Sequence, residues 1–335
     1  MKLSVQLVIW NGEKYLPLLF ESLAGQTFKD WELLVWDNGS KDKTVELVGG
    51  YSKKIGVPVR TYLKKENSGF APPHSALFRE SADEYVAILN QDIVLENNVF
   101  EALVGHLEKH PDCASVGPKL LRLENDIKTN TIDSLGLKIN RKRQITDLGA
   151  DTADIDRQND AMPAKSVFGV SGAVAIYRRS AVSAVCRKGE LFDEAYVSYQ
   201  EDSDLAWKLR LGGYESKVVV GAKAYHHRGT RESERGSLLK TISNKKSQQL
   251  FIRHNSYKNH LTTIYKNEQW QNFLLDLLPI FWYEGAKFFY NLLFDRRVFA
   301  VIGELKRERA YFQSERKRIK SITRTSWKEI RRWFR

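Results

Sequence analysis

The sequence predicts an α/β protein: a mostly parallel central sheet flanked by helices, followed by a helical C-terminal extension. Residues 1 to about 225 alternate short β-rich runs with segments whose apolar residues recur at helical spacing, which is typical of such a sheet. After about residue 228 the pattern changes to longer helical stretches. With 335 residues, 42% of them hydrophobic, the chain can form a sizeable core.

The predicted strands end at polar residues. The strands are Ser4–Ile9, Trp31–Trp36, Val57–Tyr62, Tyr85–Leu89, Ser115–Leu121, Val167–Tyr177 and Ser216–Val220. A helix is predicted after the first strand, where Leu16, Leu19, Phe20 and Leu23 share one face. The segment from Leu123 to Ala164 is polar and weakly periodic, and it predicts an inserted loop over one edge of the sheet.

The formal charge of +12 is concentrated at one end of the chain. Residues 301–335 contain 12 Lys or Arg against four Glu, so the rest is nearly balanced and nucleic acid is not an expected partner. Cys113 and Cys186 lie in apolar surroundings without metal-site spacing, which predicts buried thiols and a reducing compartment. The chain opens directly into a strand-like run with no visible export signal, so a cytoplasmic location is expected.

Two C-terminal segments bear on membrane association. Phe273–Phe294 is the most apolar region, but polar residues interrupt it, which predicts an in-plane or core helix rather than a spanning one. Nearer the end, apolar side chains alternate with Arg and Lys. That pattern fits a helix lying on the anionic inner face of a membrane, and equally a basic helix packing its apolar stripe on the rest of the protein. The apolar residues are Ile319, Ile322, Ile330 and Trp333.

The end of the second strand carries the first candidate site. A parallel sheet binds ligands beyond the carboxyl ends of its strands, and Asp37 stands at such an end, with Asn11 following the first strand. Asp37 can accept a hydrogen bond from a nucleobase or a ribose hydroxyl. The alternative is that Asp-Asn-Gly-Ser is simply a turn.

A second candidate site combines the end of the fourth strand with a later histidine pair. Asp92 can hold Mg²⁺ or Mn²⁺ through oxygen, or it can cap the next helix. His226 and His227 can complete a metal site and Arg228 can contact phosphate, although paired histidines on a surface loop often have no such role.

The third candidate site is an acidic run at a helix start. Residues 199–204 read YQEDSD directly before an apolar helical run. A carboxylate there can act as a general base, and acids also favour helix starts for electrostatic reasons alone.

Together, in this order, these segments resemble the family 2 glycosyltransferases, whose catalytic domain has the glycosyltransferase A fold, a Rossmann-like sheet. The opening VQLVIWNGEKYLPLLFESLAGQTFKDWELLVWDNGSKDKT resembles the nucleotide-binding half and implies Asn11 and Asp37 on the donor side. NSGFA resembles the donor loop, and ILNQD resembles the metal motif. The implied donor residues are Asn67, Gly69, Asn90, Gln91 and Arg228, with Asp92 as a metal ligand.

The later motifs resemble the acceptor half of that family. FGVSGAVAIYRRSA implies Gly172 on the acceptor side, and AYHHRG implies His226, and less surely His227, near the metal. LFDEAYVSYQEDSDLAWKLRLGGY is the most specific match, and it implies Asp202 as catalytic base with Glu201 beside it.

The resemblance implies an inverting, metal-dependent hexosyltransferase. It would move one sugar from a dTDP-, UDP- or GDP-linked donor to a hydroxyl of a glycan or lipid-linked acceptor, as rhamnosyltransferase-like enzymes of bacterial polysaccharide synthesis do. The implied domains are a catalytic domain at 1–228, with a nucleotide half (1–122) and an acceptor half (123–228), and a basic helical region at 229–335. Neither a QxxRW motif nor several spanning helices are found, so one sugar per encounter is expected.

The sequence departs from the family pattern at two motifs. The donor loop continues Pro72-Pro73 where glycines are common, and the metal motif has Asn90 where an acid is common. Two other classes remain as alternatives. A sugar-phosphate nucleotidyltransferase would need a glycine-rich basic loop near the first strand, which residues 10–13 (WNGE) do not supply, and a non-enzymatic basic binding protein would use the tail alone.

Overall fold

A computed structural model describes residues 1–154, 164–227 and 250–335. Its centre is a mixed sheet with strand order β10-β12-β6-β11-β4-β1-β2-β3, in which β5 also pairs with β12 and β7 with β6; β8 and β9 form a separate ladder. The strands are β1 (Leu3–Ile9), β2 (Trp31–Asp37), β3 (Val59–Leu63), β4 (Tyr85–Leu89), β5 (Ile93–Leu95), β6 (Cys113–Glu124), β7 (Ile127–Ser134), β8 (Leu137–Ile139), β9 (Ile145–Asp147), β10 (Lys165–Ser166), β11 (Val174–Arg178) and β12 (Glu215–His226).

Helices flank the sheet and form the C-terminal region. Those in the described residues are α1 (Leu16–Ala24), α2 (Thr44–Ser52), α3 (Ala71–Glu80), α4 (Val99–Lys109), α5 (Arg179–Val185), α6 (Glu201–Leu211), α7 (Leu250–Asn267), α8 (Trp270–Leu275), α9 (Leu277–Phe294), α10 (Ala300–Arg307), α11 (Arg309–Ile322) and α12 (Trp327–Arg331). The predicted α/β class with a helical C-terminal extension is confirmed.

The parallel half of the sheet aligns the three strand ends that the sequence singled out. β1 pairs in parallel with both β2 and β4, with Ile9 opposite Asp37 and Leu7 opposite Leu89. These strands are buried almost throughout because helices cover both faces. Residues 10–12, 38–40 and 90–92 therefore meet at one edge of the sheet.

The predicted strand Val167–Tyr177 is wrong in its first half. The strand is Val174–Arg178, β11, antiparallel to β4 and β6, whereas Gly169 forms only an isolated bridge with Leu137. Residues before it pack beneath α6, and a Cβ on Gly169 would lie 2.2 Å from the Cβ of Ala206. The apolar composition of this segment reflects burial against a helix rather than strand pairing.

The segment from Leu123 to Ala164 is not the loop that its composition predicted. It contains β7, which pairs with β6, and the β8–β9 ladder. Asn125 and Asp126 join β6 to β7 with φ angles of 50° and 63°, which is the backbone of a tight hairpin. β7 is half exposed at its start, so its apolar periodicity is weak.

A buried carboxylate fastens the C-terminal helices to the rest of the chain. Asp276, between α8 and α9, is fully buried and pairs with Arg141 at 2.7 Å, Arg143 at 3.0 Å and Arg331 at 3.0 Å. Removing Asp276 takes one of two carboxylate partners from the fully buried Arg143 and should destabilise the protein by up to about 3–5 kcal/mol.

The apolar residues of the basic tail pack on the catalytic part. Ile319 and Ile330 are buried in a cluster with Phe168 and Trp207, and Trp333 lies partly buried against it. Ile322 is partly buried against a neighbouring cluster. Of the two alternatives for the tail, the structure therefore has the packed arrangement.

The Phe273–Phe294 segment forms neither one helix nor a core element. It breaks at Asp276 into α8 and α9, and of the α9 residues only Ile280 is buried. Of the two predicted arrangements, the core helix is therefore wrong, and the in-plane helix stays a prediction. Among the described residues, no helix is long and apolar enough to cross a membrane. Cys113 and Cys186 are free and buried, as predicted.

Candidate active site

Asn11 and Asp37 organise the donor-side edge of the sheet. The amide N–H of Asn11 donates to Ser40 Oγ at 2.9 Å, and Asn11 Oδ1 accepts from the N–H of Lys41 at 2.9 Å. Asp37 accepts from the N–H groups of Gly39 and Ser40 and from the Ser40 hydroxyl. Its carboxylate therefore shapes the turn, as the alternative interpretation expected, at the edge where a ligand would lie.

The donor loop at residues 67–70 is held by a residue that the sequence analysis did not single out. Buried Asn38 donates from Nδ2 to the carbonyl of Gly69 at 2.7 Å and accepts from the N–H of Ser68. Asn67 Oδ1 accepts from the N–H of Gly69 at 2.8 Å. Gly69 has a φ of +91°, and a Cβ there would lie 2.5 Å from the carbonyl oxygen of Val197. Only glycine fits this approach.

The two prolines that follow cause no local conflict. Pro72 and Pro73 lie in the first turn of α3, where the missing N–H groups have no helical partner to lose. The two prolines, which depart from the family pattern, therefore favour a helix that begins directly after the donor loop.

The polar residues of the ILNQD motif have two different positions in the structure. Gln91 bonds the main chain of Trp10, accepting from its N–H at 2.9 Å and donating to its carbonyl at 3.2 Å, and so joins the ends of β1 and β4. Asn90 and Asp92 instead line a cleft of about 530 Å³ together with Asp202.

His226 lies between two carboxylates at this cleft. Its Nε2 is 3.5 Å from Asp92 Oδ1, and its Nδ1 is 2.9 Å from Asp133 Oδ2. Burial opposes a positive charge on the ring, but hydrogen bonds to Asp133 and Asp92 raise the pKa of His226 to about 9. Asp133 fixes the ring so that Nε2 points towards Asp92. Asp133 is 93 residues away in sequence, in the segment predicted as a loop, so no local pattern indicated it.

The structure separates His227 from Asp92. The His227 ring lies 3.6 Å from Asp126 and packs edge-on against Tyr15, and only its main-chain N–H reaches Asp92, at the carbonyl oxygen. His226 is therefore the histidine whose ring faces the cleft. Arg228, the predicted phosphate contact, lies outside the described residues.

Asp202 lies in the first turn of α6 and faces the same cleft. Its Oδ2 accepts from the N–H of Gly172 at 3.0 Å, and its Oδ1 accepts from the N–H of Ser203 at 2.6 Å. A Cβ on Gly172 would lie 3.2 Å from this side chain, so a larger residue would displace the carboxylate by a few tenths of an ångström. Burial raises the pKa of Asp202, the bonds from Gly172 and Ser203 oppose that rise, and the negative charge of Asp147 adds to it.

Glu201, beside it, is buried in the wall of the cleft. Its Oε2 has no hydrogen-bond partner among the described residues. Burial, and then the negative charge of Asp202, raises the pKa of Glu201 to about 8. Two neighbouring carboxyl groups with different pKa values are a frequent feature of acid–base sites.

The loop before α6 is strained and is held by the C-terminal region. Val197, Tyr199 and Gln200 have φ angles of 59°, 73° and 69°, an arrangement that costs non-glycine residues about 1–2 kcal/mol each. Buried Asn259 on α7 donates from Nδ2 to the carbonyls of Tyr196, Ser198 and Tyr199 at 2.8, 2.9 and 2.7 Å. No sequence pattern indicated Asn259, because a lone Asn inside a helix carries no motif.

Asp204, the last acid of the run, is structural. It pairs with Lys208 at 2.6 Å and with Lys266 of α7 at 3.1 Å, and Lys266 also pairs with Asp193. Asn267 Nδ2 donates to Asp204 at 2.7 Å. These groups are buried, so they fix α7 against α6 in one register.

The donor loop, the cleft carboxylates and the helix start thus occupy one edge of a nucleotide-binding type of sheet. The chain matches the family model described as Glycosyl transferase family 2 over residues 4–186, which is more than half of its length. The chain belongs to the family 2 glycosyltransferases. The suspected resemblance is confirmed.

The relatives of this glycosyltransferase agree with that assignment. Poly(ribitol-phosphate) beta-N-acetylglucosaminyltransferase TarS of Staphylococcus aureus is 28% identical over 112 residues, which is 33% of this chain and 19% of TarS. The chain therefore matches about a fifth of that relative's length.

Two solved structures support the fold. GalNAc-T7, solved with UDP, GalNAc and Mn²⁺, superposes with a TM-score of 0.59 at 13% identity, over 79% of this chain and 48% of that one. The mannosyltransferase PcManGT of Pyrobaculum calidifontis, in complex with GDP-Man and Mn²⁺, gives a TM-score of 0.52 at 15% identity, over 92% and 75%. The predicted glycosyltransferase A fold is confirmed.

The residues of the glycosyltransferase cleft suit a divalent cation. Asp92 offers carboxylate oxygen, and His226 offers imidazole nitrogen at the same wall once its ring releases its proton; Mn²⁺ accepts both kinds of ligand. Among the described residues, no group of three or more His, Cys, Asp or Glu is arranged as a metal cage. Two protein ligands with oxygens from a diphosphate are a usual way to hold such a cation.

A second cavity of the glycosyltransferase adjoins the cleft. It has a volume of about 560 Å³ and is bounded by β9, Gln200 and the helices α7 and α9. Residues 198–199 and 201–202 line the first cleft, while Gln200 lines the second, so the strained loop separates the two spaces. Three tyrosines, Tyr257, Tyr283 and Tyr290, face this cavity.

Proposed function

We propose that the protein is an inverting hexosyltransferase that moves one sugar from a nucleoside diphosphate donor to an acceptor hydroxyl. The observation that carries the proposal is that Asp202 shares one cleft with Asn90, Asp92 and His226. We propose that the sugar lies in this cleft between Asp202 and the residues that bind the diphosphate, because in-line displacement requires the base and the leaving group on opposite sides of the anomeric carbon. Attack from the side of Asp202 inverts the anomeric carbon.

Asp202 is proposed as the general base and Glu201 as its neighbour in the cleft wall. The raised pKa of Asp202 makes its carboxylate a better proton acceptor than an exposed aspartate. The bonds from Gly172 and Ser203 keep both oxygens in one orientation. Asp202 therefore takes the proton of the acceptor hydroxyl as the oxygen attacks.

On the donor side, Asn11, Asp37, Asn67, Gly69 and Asn90 are proposed to surround the nucleotide, with Gln91 holding the loop after β1. Asp92 and His226 would hold Mg²⁺ or Mn²⁺, which when bound neutralises the charge of the leaving diphosphate. Structural relatives with UDP and with GDP-Man support a nucleotide-sugar donor, and the sugar is proposed to be linked to dTDP, UDP or GDP.

The second cavity is proposed to receive the acceptor. Its tyrosine rings can stack on pyranose faces, and the side-chain amides of Gln144, Gln200 and Asn291 suit sugar hydroxyls. A glycan or a lipid-linked glycan in cell-surface polysaccharide synthesis fits this lining. The name of the relative TarS supports a polymer acceptor.

For the chain organisation, we infer a catalytic domain at 1–228 and a basic helical region at 229–335 that completes it. Asn259 and Lys266 of α7 bond residues of the catalytic domain, so the helical region is needed for the shape of the site. The two free, buried thiols support a reducing compartment.

The first test is a thermal-shift panel of UDP, dTDP, GDP and CDP, each with and without Mn²⁺ or Mg²⁺, on wild type, Asp92→Ala and Asp202→Asn. One nucleotide should stabilise wild type in a metal-dependent way that Asp92→Ala loses. Asp202→Asn should keep that stabilisation while turnover falls at least about a hundredfold. Normal turnover in Asp202→Asn removes Asp202 from this role, and a product of retained anomeric configuration by NMR removes the inverting mechanism.

A further inference from the structure

The helices α8 and α9 expose a large apolar surface, here called the α8–α9 face. Its side chains are between 54% and 82% exposed. They are Trp270, Leu274, Leu275, Leu278, Phe281, Trp282, Phe289 and Leu293. Leu278, Trp282, Phe289 and Leu293 fall on one side of α9 because their spacing follows the helical repeat. A contiguous patch of this kind on a protein surface marks a site of interaction.

An apolar groove lies beside this face. It has a volume of about 520 Å³, and α7, α8 and α9 supply its walls, including Trp270, Phe273 and Phe281. Arg316 also lines it, and its hydrogen bonds go to the main-chain carbonyls of Tyr265 and Glu268, which carry no formal charge. Glu284, which lines the groove as well, is paired with His260 and Lys287.

The charges around the α8–α9 face have one sign. Between residues 270 and 303 the three carboxylates are each engaged in ion pairs: Asp276 with arginines, Glu284 with His260 and Lys287, and Asp295 with Arg253 and Arg297. The exposed charged residues of this span are Arg296 and Arg297, directly after α9. An apolar surface edged by cations complements an anionic lipid surface.

We propose that the α8–α9 face docks this transferase on an anionic phospholipid bilayer, with Trp270 and Trp282 at the level of the headgroups and the groove taking an apolar lipid chain. A bilayer accounts for the features that a second copy of the chain leaves unexplained. Indole rings favour the membrane interface, and the edge of Arg296 and Arg297 repels its own copy but attracts anionic headgroups.

The same helix connects this surface to the proposed acceptor cavity. Tyr283, Lys287 and Tyr290 of α9 line that cavity, on a different side of the helix from Leu278 and Trp282. Docking through α9 thus brings the cavity close to the lipid headgroups. The docking itself does not depend on the transfer reaction, so it is tested without donor or acceptor.

The experiment is flotation of the full chain with vesicles of phosphatidylcholine alone or containing about one-third phosphatidylglycerol. Wild type should float with the anionic vesicles, and more weakly as salt rises. Leu278→Asp combined with Trp282→Asp should lower the partition coefficient at least about a hundredfold, since each large apolar side chain accounts for about a tenfold effect. The milder pair Leu278→Ser and Trp282→Ser serves if the charged pair lowers the melting temperature.

Ile127→Asp is the matched control, because Ile127 is 68% exposed on β7, away from this face, and its change should leave flotation unaltered. Three outcomes overturn the proposal: wild type stays with the unbound fraction, or the variants of Leu278 and Trp282 float like wild type, or light scattering shows a dimer that these variants dissociate without any vesicle binding. Loss of flotation only on changing Lys317→Gln and Lys320→Gln assigns the membrane contact to the tail instead.

Discussion

Replacing Asn259 with alanine is expected to slow the transferase without unfolding it. The side chain is fully buried and supplies the hydrogen bonds to three carbonyls of residues 196–199. At about 1 kcal/mol for each bond, the variant loses about 2–3 kcal/mol that holds the loop. The three residues at positive φ favour relaxation of the same loop by about 1–2 kcal/mol each. We therefore expect kcat to fall about thirtyfold, the rate equivalent of about 2 kcal/mol.

The assay is the initial rate of nucleoside diphosphate release from the donor that the thermal-shift panel identifies. KM for the donor should change less than kcat, because Asn38 still bonds the donor loop when the N–H groups of Phe70 and Ala71 lose a fixed Val197 carbonyl. Hydrogen exchange of the amides at 197–200 should speed up in the variant, which gives a readout independent of turnover.

Asn255→Ala is the matched control for this prediction. Asn255 is buried on the same helix, but its Nδ2 donates to the carbonyl of Phe251 within α7. The two variants therefore share the loss of a buried amide and differ in contact with the loop. Equal rates for Asn259→Ala and wild type, or an equal loss in both variants, would refute the reasoning.

Three further predictions concern stability and donor binding. Because the pKa of Glu201 is raised, the folded state keeps a proton on this carboxyl group at pH values where the unfolded state has released it. The free energy of unfolding of the wild type should therefore fall between about pH 5 and 8, by up to about 1.4 kcal/mol per pH unit. Urea titrations of Glu201→Gln should show a flatter pH dependence, and a slope equal to that of wild type contradicts the assignment. Lys266→Met removes a cation that pairs with buried Asp193 and Asp204, and it should lower the free energy of urea unfolding by about 3–5 kcal/mol. A decrease of less than about 1 kcal/mol would mean that this ion-pair cluster does not hold α7 in place. Gly69→Ala should weaken nucleotide binding at least about tenfold because its Cβ meets the Val197 carbonyl, whereas Gly56→Ala, also at positive φ but in open space, should leave nucleotide binding unchanged, as calorimetry can check.

The edge of the sheet that carries the candidate donor residues could be predicted from the sequence because these residues are local to strand ends. β4 is apolar at all five positions and stops at Asn90, so both the strand and the edge could be predicted from composition. In a parallel register the carboxyl ends of β1, β2 and β4 have to meet, and the hydrogen bonds of Gln91 to Trp10 are a result of that meeting.

The strand predictions were wrong where a segment is buried without pairing as a strand, or pairs as a strand without being buried. Val167, Phe168 and Val170 are buried, and Gly169 lies directly against Ala206 of α6, so this segment has the apolar composition of a strand although it lies outside β11. β7 is exposed at its start and buried at its end, and its mixture of polar and apolar residues is therefore similar to the composition of a loop. Both errors have one cause: composition reports the surroundings of a side chain and only indirectly the conformation of its backbone.

The sequence by itself determined the α/β class, the strand ends with Asp37 and Asp92, and the acidic helix start with Asp202, because each depends on residues adjacent in the chain. Only the tertiary structure decided that Asp133 orients His226, that Asn259 holds the strained loop, and that α9 faces solvent while the basic tail is packed. These contacts join residues 60 or more positions apart, and whether an apolar helix is covered depends on what the rest of the chain places against it.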